Sequence, residues 1–506
     1  MKKSNDRELL VSRRAFLRQS SCAALGITGL VNTLAHLTLT RAALAQVTPP
    51  SDYKALVVLF LYGGNDSNNM LVPRMGHPAY ADYKKHRGVL AILDPSDPAY
   101  VAGRPASIGL AADGAGYGVH PSLQPVANLF DSGELALIAN VGTLAFPITR
   151  TQYVARSVPI PTQLFSHSDQ QIEWQSSIAD KPFQSGWGGR VADLLKQEGY
   201  AGDKVSLSIT ISGINSLQVG SNVVQYTVSP TGAVTLGGFG TNYASARSSN
   251  GTYLTNSTGQ RLKAFDEITA YTHQHLLEEG YNSVVRRAME SEAIVGSAFT
   301  AAAAQSTVNF DTLFTNAKTS LGNQLKTVAK LIAGRDTLDN RRQIFFCSVG
   351  GYDTHSDQAA SHGNLMAELA NSLSAFSQSL IALGVNDNVL TLTHSDFTRT
   401  FTPNGIDATT AGSDHGWGGH HLVMGGPVIG GKIYGKFPSL KVGMDQDSGN
   451  DRGRWIPTTS VDQYTAVAAR WLGVESSALS AIFPNLSRFD DPFSATANMG
   501  YVNLSA

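Results

Sequence analysis

Cysteine is almost missing from this chain: two in 506 residues, Cys22 and Cys347. Cys22 falls in a segment read below as a removed leader, so one thiol remains and no intramolecular disulfide can form. An exported fold of this kind must rest on its core, and on a metal if it holds one. Cys347 stands within Ile344-Phe345-Phe346-Cys347-Ser348-Val349 and reads as a buried apolar filler. Charge is scarce too. Asp, Glu, Lys and Arg make up 15% of the residues, against about a quarter in an ordinary globular chain. Glycine is frequent at 49, and the combination suits an exported, loop-rich protein better than a cytosolic helical one.

Ser12-Arg13-Arg14-Ala15-Phe16-Leu17-Arg18 is a twin-arginine pattern, followed by a mildly apolar run from Ser21 to Thr40 and the small-residue cleavage site Ala43-Leu44-Ala45. Residues 1–45 therefore read as a signal peptide handled by the twin-arginine translocase, which predicts a periplasmic or secreted protein. Asn32, His36 and several Thr and Gly make the run a poor bilayer span, so no stable membrane anchor is expected. Of 38 Lys and Arg and 39 Asp and Glu, the leader takes seven and two, leaving 31 bases, 37 acids and a balance of −6. No basic stripe remains to neutralise phosphates, and that excludes a nucleic-acid role.

What is present is a set of long apolar runs. Ala55 to Tyr62, Leu135 to Val141, Gln343 to Val349 and Val389 to Thr393 are continuous, as in strands buried on both faces of a parallel sheet. Helical patterns separate them at Ser122 to Phe130, Gln171 to Ser177, Trp187 to Gln197, Leu365 to Leu383 and Ser460 to Gly473, with a long helical stretch from Gln260 to Ala333. The alternation predicts an α/β fold, a mostly parallel central sheet with helices on both faces. From Gly213 to Gly259 the chain turns rich in Gly, Ser, Thr and Asn, which predicts an inserted hairpin region or lid. Residues 46–506 read as a single large α/β domain carrying that insertion.

The chemistry collects after the runs. Gly63-Gly64-Asn65-Asp66 follows the first, Gly350-Gly351-Tyr352-Asp353-Thr354-His355 the third, and Asp396 the fourth. Acids on turns at strand ends suggest a metal site along the carboxyl edge of the sheet. Asp66 is a candidate ligand or an Asx-turn. Asp353 and His355, at i and i+2, can face one cation in extended backbone, while His362 reads as a surface residue. Between His394 and His421 lie four imidazoles and no Cys or Lys, a composition suited to zinc, manganese, calcium or iron. His415, His420 and His421 are the candidates there; the last two point oppositely if extended. Arg399 is either an oxyanion clamp or the partner of an Asp. Ser166, just ahead of a helix, is either a nucleophile helped by the helix dipole or a simple N-cap. No G-x-S-x-G elbow surrounds it, which argues against a lipase-type triad.

These blocks together resemble a known family. Leu59 to Pro73, His120-Pro121-Ser122-Leu123, Ser166-His167 with Gln170, Gly186-Trp187-Gly188-Gly189-Arg190, Gly351 to His355, Asp414 to His421 and Pro457 to Asp462 match the exported bacterial domain-of-unknown-function 1501 family over nearly the whole mature chain. That family is similar to the alkaline phosphatase/sulfatase superfamily, whose fold is a large α/β sandwich with one or two divalent metals at its strand ends. The resemblance implies Asp66, Asp353, His355, Asp396 and His420 or His421 as ligands of zinc, manganese or calcium, with Ser166 as nucleophile. It departs at Phe397, where phosphatases carry a histidine; His415 is the imidazole that would replace it. Two functions follow: a metal-dependent hydrolase of phosphate or sulfate esters, in which Arg399 or Arg190 clamps the substrate oxygens, or a non-catalytic exported binding or assembly protein. The resemblance also implies a second exported protein as a partner.

Overall fold

The computed structural model describes residues 52–505 except 234–238, 240–242, 272–275, 306–307 and 450, so the expected 1–45 signal lies outside the described residues. The first apolar run forms strand β1 (Lys54–Leu61), in which every side chain from Ala55 to Leu61 is buried. Alternation sends Val57 and Leu59 into one apolar cluster and Leu56, Val58 and Phe60 into another. Such a strand has no wet face, and each of its large side chains contributes about 1.5–3 kcal/mol on burial.

The other strands of the main sheet are β2 (Leu135–Gly142), β3 (Ser208–Thr210), β4 (Tyr226–Ser229), β5 (Gly232–Ala233), β6 (Arg342–Val349), β7 (Val389–Ser395), β8 (Gly419–Met424), β9 (Ile433–Gly435) and β10 (Thr459–Ser460). Their order is β9-β2-β8-β7-β1-β6-β3-β4-β5, with β10 beside β2. Most neighbours run parallel, but β8 is antiparallel to both β7 and β2. One face carries α2 (Gln124–Asp131), α7 (Ser320–Ala333) and α8 (Gln358–Ala382); the other carries α4 (Trp187–Gln197) and α9 (Val461–Leu472). Asp52–Ala506 is one compact unit. This is a mixed α/β protein with a large, mostly parallel central sheet.

The register matters for the site. Leu61 of β1 is level with Val349 of β6 and with Ser395 of β7. Three parallel strands ending together put the residues that follow them, from Tyr62, Gly350 and Asp396 onward, at one edge.

Three expectations need amendment. Within 213–259, Tyr226–Ser229 and Gly232–Ala233 form the expected hairpin, but the first of them pairs in parallel with β3 and so extends the main sheet at its edge instead of standing off as a separate lid. The stretch from 260 to 333 is divided into α5 (Ser257–Thr269), α6 (Leu276–Ala303) and α7. His362 is 2% exposed, not on the surface. It lies one helical turn before the fully buried Met366 on α8, and i and i+4 share a helix face. Its Nε2 stands 3.0 Å from Asn65 Oδ1.

Candidate metal centre

The turn after β1 brings the strand ends close together. Gly63 has φ 112°, and a Cβ there would meet the Asp353 amide nitrogen at 2.5 Å. Only glycine permits both the left-handed backbone and that approach. Its N–H donates to Asp396 Oδ1 at 3.2 Å. Asp396 is fully buried, and its Oδ2 takes the Gln171 amide at 2.9 Å and lies 2.6 Å from His167 Nδ1. His167 and Gln171 are a turn apart at the start of α3 (His167–Ser176), so one helix end grips one carboxylate.

Across the edge, Asp353 Oδ1 is the point of convergence. His355 Nε2 lies 3.0 Å away, His167 Nε2 3.4 Å and His415 Nε2 3.4 Å. Arg399 Nη1 reaches the same oxygen at 2.7 Å. The Nε2 atoms of His355 and His415 are 3.0 Å apart. His167, Asp353 and His415 present ligand atoms that all lie within 4.8 Å of one another. Metal–nitrogen bonds of 2.0–2.1 Å in tetrahedral geometry place ligand atoms about 3.4 Å apart, close to these spacings.

The far side of each ring agrees. His167 Nδ1 faces Asp396, His415 Nδ1 faces the Phe165 carbonyl oxygen at 2.7 Å, and His355 Nδ1 faces Asp414 Oδ1 at 3.2 Å. An acceptor at Nδ1 fixes the proton there and leaves the Nε2 lone pair free, the arrangement that orients metal-binding histidines. His167 Nε2 is buried with no hydrogen-bond partner. Burial works against the Asp353 carboxylate, but the Arg399 guanidinium holds its pKa below the ordinary range. For His167 the bond from Asp396 raises the pKa; for His415 burial lowers it. The centre opens to water, since the Asp353 and His355 side chains are 46% and 47% exposed. His167, Asp353 and His415 could hold one divalent cation and leave positions for a water or substrate oxygen, with His355 standing at the rim, 3.0 Å from both Asp353 and His415.

The remaining candidates lie elsewhere or act differently. Asp66 is fully buried in an ion pair with Arg87 and also accepts from the Gln358 amide; burial raises its pKa. His420 and His421 sit on opposite faces of β8. His420 stacks on Phe437 at 5.0 Å, and His421 lies against Trp174 at 4.7 Å. Asp396 orients His167. Arg399, with its side chain fully buried, gives its donors to Asp353 and to the Gly63 and Ser413 carbonyls. Arg190 gives its own to the carbonyls of Ser185, Ser176 and Ile482. Ser166 occupies the N-cap position of α3 without a capping hydrogen bond, its Oγ donating instead to Asp169 Oδ2 at 2.6 Å. Phe397 packs its ring on His415 at 4.8 Å and near His167 at 4.9 Å, walling the centre.

His167 is the ligand candidate that sequence reasoning passed over. Its signal was present in the Ser166-His167 block at a helix start, where the first residue of the helix is aimed along the strand ends.

A mixed α/β fold with a His-and-Asp cluster at the carboxyl edge of its central sheet is thus the class of protein. The chain belongs to the family described as Protein of unknown function (DUF1501), whose model matches residues 53–450. No curated protein matches it. Among solved structures it is similar to Ps i-CgsB in complex with k-i-k-neocarrahexaose, at 8% identity and TM-score 0.30 over 86% of this chain and 77% of that one. Ps i-CgsB without the sugar gives 9% identity and TM-score 0.29 over the same shares, 86% and 77%.

Proposed function

We propose that this protein is a metal-dependent hydrolase of phosphate or sulfate esters, built on an alkaline phosphatase/sulfatase-like sandwich. The observation that carries the reading is the convergence of the His167, His355 and His415 Nε2 atoms on Asp353, each ring braced from behind by an oxygen acceptor. Imidazoles beside a carboxylate favour zinc or manganese over calcium, which prefers oxygen ligands throughout. A bound divalent cation would supply Lewis acidity for the ester oxygen and for an attacking hydroxyl. Arg399 positions Asp353 and balances its charge. Ser166, at the start of the helix that carries His167, is the residue the family resemblance implies as nucleophile. Export by the twin-arginine translocase, action in the periplasm and a second exported partner belong to the same proposal.

One observation favours the other reading, a non-catalytic binding or assembly protein: Ser166 Oγ is engaged by Asp169 and Ser168. Metal analysis of the folded, exported protein separates the two, run beside the Ser166→Ala and His167→Ala variants with a screen of phosphate and sulfate esters. A hydrolase requires near-stoichiometric metal that the His167 variant loses, and turnover that the Ser166 variant loses while keeping its metal. A well-folded protein without metal would sink the hydrolase reading.

A further inference from the structure

The arginines near the centre are almost all committed. Arg87 is paired with Asp66, Arg399 with Asp353, and Arg452 reaches Asp414 at 2.7 Å. Arg454 differs. Its guanidinium lies 4.2 Å over the Phe165 ring, half-buried, with no ion pair among the described residues. Its backbone is pinned, because fully buried Asp447 accepts from the Arg454 and Gly453 amides at 3.2 and 3.0 Å. The side chain is therefore delivered to this place with no carboxylate at ion-pair distance, and Asp414 and Asp447 act on its charge only from further off.

A guanidinium drawn partly out of water without a carboxylate in direct contact loses hydration and regains little from an aromatic face. Burial lowers its pKa and nearby Arg452 pushes the same way, against Tyr153, Asp414 and Asp447, which pull it back up. Such a group is completed by an anion, and a planar fork of donors matches two oxygens of a tetrahedral oxyanion. The position supports this. Phe165, beneath the fork, holds His415 through its carbonyl and directly precedes Ser166 and His167. Phe165 also takes a left-handed φ of 75°, a strained conformation for an aromatic residue. That strain is tolerated where the carbonyl must face His415 and the ring must face Arg454.

We propose that Arg454, stacked on Phe165 beside the metal cluster, is the clamp for the non-bridging oxygens of a phosphate or sulfate group. This rests on the hydrolase reading for its substrate, but anion binding can be measured without turnover. The test is calorimetric titration of inorganic phosphate and of inorganic sulfate into the full mature protein, metal-loaded and chelator-treated. Wild type, Arg454→Gln and Arg454→Lys are compared, with metal content determined on each.

The clamp requires wild type to bind at least one of the two anions, the preferred one naming the ester class. Arg454→Gln should weaken that binding on the order of ten- to a hundredfold, the usual range for a charged hydrogen-bond partner, with metal content unchanged. Arg454→Lys should fall between, since the charge stays and the fork is lost; it decides the matter if the Gln variant does not fold. Unchanged affinity in the variants overturns the clamp, and so does absence of anion binding to wild type. Loss of metal in step with the anion also overturns it, making Arg454 a brace for His415 instead. Anion binding lost in the Gln variant of a protein that turns over no ester keeps the clamp and drops the hydrolase. Undiminished ester turnover by the Gln variant does the reverse.

Discussion

His394, on β7, has a fully buried ring with neither nitrogen hydrogen-bonded. Its neighbours are aromatic: Trp174 at 5.1 Å, Tyr464 at 5.8 Å, Trp187 at 6.0 Å and Phe60 at 6.2 Å between ring centres. Burial drives its pKa well below the ordinary value, with the His421 charge adding to the shift. A depressed folded-state pKa contributes stability that is full above the unfolded value, about 6.5, and is lost as pH falls below it. His394→Phe keeps a ring of similar size and removes two unsatisfied nitrogens. It should raise stability by about 1–3 kcal/mol at pH 7, and the gain should widen at pH 5. Urea melts of metal-free protein at the two pH values test this, and a destabilised variant at both would mean the ring nitrogens are satisfied in solution.

At the scale of the element, the start of α3 and the end of β7 work as a pair. His167 and Gln171 both reach Asp396, so replacing the carboxylate should loosen the ring that it orients. Asp396→Asn is expected to lower metal affinity about 10–100-fold, the usual effect of losing a partner behind a metal-bound histidine. Gln171→Ala should cost less, because Asp396 keeps Gly63 and His167. Competition with a chromophoric chelator measures both, and equal affinity in Asp396→Asn and wild type would remove Asp396 from the centre. The same pairing shows what was legible beforehand. The β1, β6 and β7 strands were readable because burial on both faces leaves an unbroken apolar run, and the acids after them fall at one edge of the sheet. Asp66 and Asp396 look alike in that reading. They differ because Arg87, at the end of α1 (Tyr80–Arg87), is folded under the first and His167 under the second. His420 and His421 clustered with His415 along the chain, but strand alternation on β8 turns them to opposite faces, which no count of imidazoles reveals.

For the molecule as a whole, the candidate ligands come from three separated segments: the start of α3, the turn after β6 and the loop before β8. A cation held by all three binds the folded chain and not the unfolded one, in which these segments are far apart. Binding linked in this way stabilises by about 2.7 kcal/mol when free metal is a hundredfold above the dissociation constant. Without it, Asp353 retains Arg399, so the fold should survive with lower stability. Chelation of the wild-type protein is therefore expected to lower the urea midpoint, and zinc or manganese to restore it. Asp353→Asn should show neither response while still unfolding cooperatively. Melts of both proteins with chelator and with excess metal make the comparison. An equal response from the Asn variant would put the stabilising metal at some site other than this cluster, and absence of any response in wild type would leave the four residues as an ion-pair network around Arg399.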